Sequence, residues 1–143
     1  MIRRLAPDDW ATFRAIRLEA LRLEPAAYAS THDDWAQLSE EDWRGRLDAN
    51  VVFATFCDTE TTGIAGLRPD GAVIMVYVRA TARGKGHAQL LMQTVRDEAR
   101  ARNMPRLWLH VALDNAPARR LYEWSGYNAE SHTGHDMLMS RTS

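Results

Sequence analysis

The spacing of apolar residues changes its period several times along the chain, and each change marks an element. "IRRL" near the N-terminus reads as a short first strand. Pro7, Asp8 and Asp9 then form a helix start, with proline in the first turn and carboxylates near the positive end of the helix dipole. Trp10, Phe13, Ile16, Leu18, Leu21 and Leu23 follow at mostly helical spacing, and Pro25 ends the helix. "YASTHDDW" reads as a polar, aromatic-rich connection. Ser39 with Asp42 three residues on resembles a capping box and predicts a second short helix from Ser39 to Asp48.

The middle of the chain turns to strand patterns. "NVVFATFCD" and "TTGIAGL" are two such runs, and Asp70-Gly71 is a tight-turn signal that sets the strands around it antiparallel. "AVIMVYV" is continuously apolar, which predicts a central strand buried on both faces. From Gly84 the period becomes helical, with Leu90, Leu91, Thr94, Val95, Glu98 and Ala99 on a helix lasting to about Asn103, and Pro105 breaks it. "RLWLHVAL" is another strand, with Leu107, Leu109 and Val111 on one face and Trp108 and His110 on the other. "DNAPARRLYEWSG" is a short helix with Asn115 near its start and Gly126 just past its end, and "YNAE" and "HDMLMSR" form a closing hairpin. The order is β-α-α-β-β-β-α-β-α-β-β, a mixed α/β domain over residues 1–143.

Composition narrows the class. A chain of 143 residues that is 45% apolar supports one sizeable core. Lys and Arg total 18 against 19 Asp and Glu, so the net charge of -1 argues against a nucleic-acid binder that works by neutralising phosphates. Cys57 is the lone cysteine, so no internal disulfide forms, and it reads as a small apolar filler in a strand. The N-terminus lacks the apolar core of a signal peptide and no run reaches membrane length, so a soluble cytoplasmic protein is expected.

"RGKGHAQLL", Arg83 to Leu91, lies between a buried strand and a helix. Backbone N–H groups at a helix N-terminus are unpaired, glycine lets an anion approach them, and Arg83 and Lys85 add charge of the right sign. No Gly-Lys-Ser/Thr closes the stretch, so it is not a P-loop, and Gln89 stands where a Rossmann fingerprint has its last glycine. Arg83-x-x-Gly86-x-Ala88 does match the form R/Q-x-x-G-x-G/A. It resembles the pyrophosphate loop of the GNAT acyl-CoA N-acyltransferases. A second block, "LWLHVALDNAPARRLYEWSGY", resembles that family's fifth strand and following helix, with Asn115, Ala118, Leu121, Tyr122, Gly126 and Tyr127 in register. "RLEALRLEPAAYAS" also resembles the first helix and turn of one GNAT subgroup. The resemblance covers nearly the whole chain.

It implies a GNAT fold: a mixed, mostly antiparallel sheet with flanking helices, in which a parallel strand pair splays to open a slot. By the same resemblance, Val76, Tyr77 and Val78 offer strand-edge backbone groups to the pantetheine arm of acetyl-CoA, the acyl donor. The amides of Gly84, Lys85, Gly86, His87, Ala88 and Gln89 wrap the pyrophosphate, with Arg83 beside them or simply solvated. Asn115 hydrogen-bonds the pantetheine, and Tyr122 is the general acid toward the leaving thiolate, or else a packed aromatic. The acceptor is an amine, of a small molecule or a peptide N-terminus. A non-catalytic acyl-CoA sensor is the alternative, and acylation of aminoacyl-tRNA is disfavoured by the net charge.

The general base is where this chain departs from the pattern. Many members carry a Glu on the fourth strand, but Ala72 to Val78 holds no carboxylate. The fifth-strand position that is Glu in some members is His110 here, whose imidazole suits proton acceptance; its bland reading is a half-buried, hydrogen-bonded strand residue. Glu24, His32, His135 and Asp136 are further candidates. The segment from Glu24 to Trp43 is implied to wall the acceptor side. Its Glu24, Asp33, Asp34, Glu40, Glu41 and Asp42 beside Tyr28, Trp35 and Trp43 suit a cationic amine, or else serve helix starts and core. Family members are often homodimers; Met137 and Met139 on the terminal strand would join a shared sheet or fill the core.

Overall fold

Two antiparallel sheets meet along one parted seam in the computed structural model, which describes residues 1–143. The first sheet has the order β1 (Ile2–Arg4), β2 (Val51–Cys57), β3 (Glu60–Leu67), β4 (Val73–Val78). The second has the order β5 (Arg106–Ala112), β7 (Asp136–Thr142), β6 (Asn128–Thr133). β4 and β5 run parallel and touch through a single bridge between Ala72 and Trp108. There the Trp108 N–H donates to the Gly71 carbonyl at 3.1 Å and its indole Nε1 donates to the Asp70 carbonyl at 3.2 Å. Beyond that point the strands part, as the resemblance implied.

β4 is therefore the outer strand of its sheet, not a central one. Its apolar run has another cause. Met75 and Tyr77 pack with Phe13, Ile16 and Trp43 on one side, while Val73 and Val78 pack with Leu91, Val95 and Leu107 on the other. A bulge interrupts the β3–β4 ladder between Ile64 and Gly66, and Met75 takes a positive φ of 59°. Such a bulge re-aims the strand next to the parted seam.

The helices cover both faces. α1 (Trp10–Leu23) follows a single turn at Pro7–Asp9, which the Asp9 carboxylate closes by accepting from the Ala6 N–H at 2.7 Å. α2 (His32–Ala36) occupies the stretch expected to be a connection; Thr31 caps it by accepting from the Asp34 N–H at 3.2 Å. Five residues are too few to show a helical period. α3 (Glu40–Ala49) starts on the expected box, with Ser39 Oγ accepting from the Asp42 N–H and Asp42 accepting from the Ser39 N–H, both at 3.1 Å. Ser39→Ala should lower stability by about 1 kcal/mol, read as a shifted urea midpoint with an unchanged slope.

α4 (His87–Ala101) ends two residues before the expected Asn103, which already has a φ of 59°. α5 (Ala116–Trp124) follows β5. The alternation in β5 is as expected, with Leu107, Leu109 and Val111 buried. One expectation is corrected: Cys57 is in a strand but exposed at its end, so it fills no core. Of the two readings of the terminal strand, the core one fits Met139, 1% exposed, and β7 lies between β5 and β6 with no free edge. No helix is long and apolar enough to cross a membrane.

Candidate functional site

A cavity of about 880 Å³ opens where β4 and β5 part. Its walls come from both strands, the loop before α4, the first turns of α5, and the α1–α3 side of the molecule. Val76, Tyr77 and Val78 all line it. With no strand alongside, the carbonyls of Val76 and Val78 take side-chain donors: the Tyr28 hydroxyl at 2.8 Å and Arg83 Nε at 2.9 Å. The Tyr77 hydroxyl donates to Glu19 at 2.8 Å, and Arg79 donates to the same carboxylate at 2.8 and 3.0 Å. Burial and that hydrogen bond push the Tyr77 phenol up to about 12. Burial opposes ionisation of Glu19, yet Arg79 and Tyr77 hold its carboxyl below the usual range.

The loop before α4 presents consecutive free donors. None of the N–H groups from Gly84 to Gln89 donates to an oxygen of the chain, and the first that does is Leu90, to the Gly86 carbonyl at 3.0 Å. Gly84 and Gly86 have φ of 78° and 84°, the left-handed region that other residues adopt at a cost, and Gly86 caps α4 with no side-chain acceptor. His87 pins the helix start to the sheet: its Nδ1 lies 2.8 Å from Thr62 Oγ1, which donates to Thr55 Oγ1 at 2.9 Å. Gly84, Gly86, His87, Ala88 and Gln89 line the cavity, whereas Lys85 is exposed outside its wall. The Arg83 guanidinium binds Glu24 at 2.5 Å as well as the Val78 carbonyl, so it braces the end of β4 to the end of α1.

Across the seam, Asn115 caps α5 by accepting from the Ala118 N–H at 3.3 Å and also lines the cavity. Tyr122 sits one helical stretch further on, 7% exposed, with its ring 6.2 Å from Tyr127. Burial pushes its phenol well above the ordinary value, and no hydrogen bond within the chain engages its hydroxyl. His110 faces the cavity from β5, exposed and without a hydrogen bond, its ring edge-on to Trp108 at 5.7 Å. It is thus neither half-buried nor hydrogen-bonded. Among the other candidate bases, Glu24 and Asp136 line the cavity, Glu24 already paired with Arg83. His32, 3.6 Å from Asp33, and His135 lie outside the wall.

The acceptor side differs from the expectation of carboxylates beside aromatic rings. Tyr28 and Trp35 line the cavity, but Trp43 is fully buried against Phe13 at 5.3 Å. Asp33, Asp34, Glu40, Glu41 and Asp42 are in the first turns of α2 and α3, outside the wall. Of that segment's carboxylates Glu24 does line the cavity, paired with Arg83, and the other charged groups on this side are Arg17, Arg46 and Arg68. Sequence reasoning passed over Arg17, although it interrupts the apolar face of α1 four residues after Phe13 and four before Leu21.

Residues 10–127 match the profile of the acetyltransferase (GNAT) family. The mycothiol acetyltransferase of Brachybacterium faecium is 26% identical over 142 residues, covering 94% of this chain and 41% of that protein. The chain thus spans about two fifths of the length of that relative. A GNAT acetyltransferase structure from Streptococcus pneumoniae superimposes with a TM-score of 0.82 at 20% identity, over 99% of this chain and 98% of the other. The PaiA N-acetyltransferase of Thermoplasma acidophilum, solved with coenzyme A, does so with a TM-score of 0.84 at 17% identity, over 100% and 98%. The parted β4–β5 seam, the free amides before α4 and the match over residues 10–127 together establish that this chain belongs to the acetyltransferase (GNAT) family.

Proposed function

We propose that the protein transfers the acetyl group of acetyl-CoA directly to a primary amine. The observation that carries this reading is the run of unpartnered amides from Gly84 to Gln89 at the mouth of the parted seam. A doubly charged pyrophosphate fits such a nest, because every donor is preorganised and the helix dipole adds field of the right sign. The seam beside it suits the narrow arm that follows, with backbone groups of Val76 to Val78 on one wall and Asn115 on the other. Arg83 serves mainly as a brace, so the amides carry the phosphate contact.

In this reading the amine attacks the thioester carbonyl, and negative charge grows on the carbonyl oxygen near the β4 edge. Tyr122 donates its proton to the departing sulfur. Its buried phenol stays protonated at working pH, which that task needs. His110 takes the proton from the amine, directly or through one water, since its ring faces the cavity with both nitrogens free. No covalent enzyme intermediate is needed, and Cys57 lies at the exposed end of β2, outside the cavity wall.

His110→Ala should flatten the acidic limb of the kcat/KM–pH profile with little change in acetyl-CoA affinity. A limb that keeps its midpoint would remove His110 as the base and leave Asp136 as the candidate on the opposite strand. The transfer itself is tested by following CoA thiol release over a panel of polyamines, amino acids, aminoglycosides and peptides. Release that depends on one amine class supports the enzyme; acetyl-CoA binding without release supports a sensor.

A further inference from the structure

Arg17 is the only charged side chain in the buried set, 3% exposed, and it lines the cavity. Its guanidinium lies over two aromatic rings, 4.7 Å from the centre of Tyr28 and 4.6 Å from that of Trp35. Arg46 stacks on Trp35 as well, at 4.3 Å. Nε and Nη1 of Arg17 are enclosed and have no hydrogen-bond partner. No carboxylate stands near: burial and the neighbouring Arg46 both work against the charge, which is pushed down to about 10, and the one group favouring it is the Tyr28 phenol.

A buried cation with no counter-ion is costly, and cation–π contact repays only part of that. The carboxylates on the wall do not supply the rest: Asp136 is on β7 beyond β5, and neither it nor Glu24 is among the charges that act on Arg17. Glu24 is taken by Arg83, and Arg68 is taken by Asp70 at 2.6 Å. Arg17 and Arg46 are left as two guanidinium groups flanking one ring with nothing to neutralise them. The position also matters. The Tyr28 ring that covers Arg17 reaches the Val76 carbonyl with its hydroxyl, so Arg17 stands one tyrosine away from the β4 edge.

We infer that the acceptor is a small amine that also carries a carboxylate, and that Arg17, backed by Arg46, binds that carboxylate while the amino group faces the β4 edge. This rests on the transferase reading above. A carboxylate matches a guanidinium that two aromatic rings crowd and that no acceptor of the chain satisfies. Polyamines and aminoglycosides are disfavoured by the same two cations, and an ordinary peptide N-terminus brings no carboxylate close to its amine.

The test pairs each proteinogenic amino acid with its carboxamide in the thiol-release assay, alongside polyamines, for the parent protein and Arg17→Met. The expected result is that the best acid exceeds its amide by about 100-fold in kcat/KM. Arg17→Met should erase that preference by lowering the value for the acid and leaving the amide within about threefold. Its acetyl-CoA affinity and Tm should not fall, because the substitution removes an unpaired buried charge. A merely structural arginine predicts the opposite: a lower Tm and an equal loss for acid and amide. Equal use of acid and amide, or release with polyamines alone, would overturn this inference and leave the transferase standing. No release with any amine would remove the transferase reading and this inference with it.

Discussion

Tyr122→Phe should lower kcat by about 100-fold or more while leaving the affinity for acetyl-CoA within a factor of about two. The asymmetry follows from where the residue sits. Its ring is buried against Tyr127 on α5, so the phenyl body fills the same space in either variant. Its hydroxyl makes no hydrogen bond within the chain, so removing it strands no partner. Stability should therefore hold, and Tm serves as the control. What is lost is a proton source for sulfur, needed only as the thioester breaks. Single-turnover measurements separate this from slow release of product. An unchanged chemical step would reduce Tyr122 to a packed aromatic.

Gly86→Val should raise the Kd for acetyl-CoA by about 100-fold. Gly86 has a φ of 84° and precedes α4, and a Cβ built there meets no protein atom within 4 Å. The substitution therefore clashes with nothing in the chain. It penalises the left-handed backbone by about 1–3 kcal/mol and sets a branched side chain over the amides that would face the phosphates. If the loop relaxes to relieve that strain, the amides lose their common direction, and binding falls further. Lys85→Ala makes the contrast, since Lys85 is exposed beyond the wall and should change Kd by no more than about threefold. Calorimetry with acetyl-CoA reads both. Equal losses would place the phosphate contact on charge, not on the backbone nest.

Much of this site was legible because its elements carry local signals. Glycines at 84 and 86 before a helical period announced free amides, and Asn115 and Tyr122 stood at fixed distances on one short helix. The capping box at Ser39 and Asp42 and the alternation along β5 are likewise local, and both appear as expected. Contacts between distant segments left no such trace. The bond from Tyr28 to Val76 joins residues 48 positions apart, and the pairing of Arg83 with Glu24 joins residues 59 apart. That pairing gives a bracing contact to a cation expected either beside the phosphates or simply solvated.

β4 misled for a related reason. Its apolar run reports burial on both faces, which the structure has, but says nothing of which edge is hydrogen-bonded. The acidic residues from Asp33 to Asp42 fit helix starts as well as acceptor contacts, and in the structure they stand in the first turns of α2 and α3. Arg17 had a signal in its position on an apolar helix face, but whether such a residue is buried or snorkels to water depends on the packing of Tyr28 and Trp35 over it.

Acetyl transfer to an amine requires the amides from Gly84 to Gln89 and the seam beside them to hold acetyl-CoA. The most direct measurement follows acetyl-CoA and an amine panel by thiol release, with mass spectrometry of the acceptor. Free CoA and an acetylated amine should appear in equal amounts and be lost together in Tyr122→Phe and in Gly86→Val at limiting acetyl-CoA. Tight acetyl-CoA binding with no CoA release for any amine would contradict the transfer.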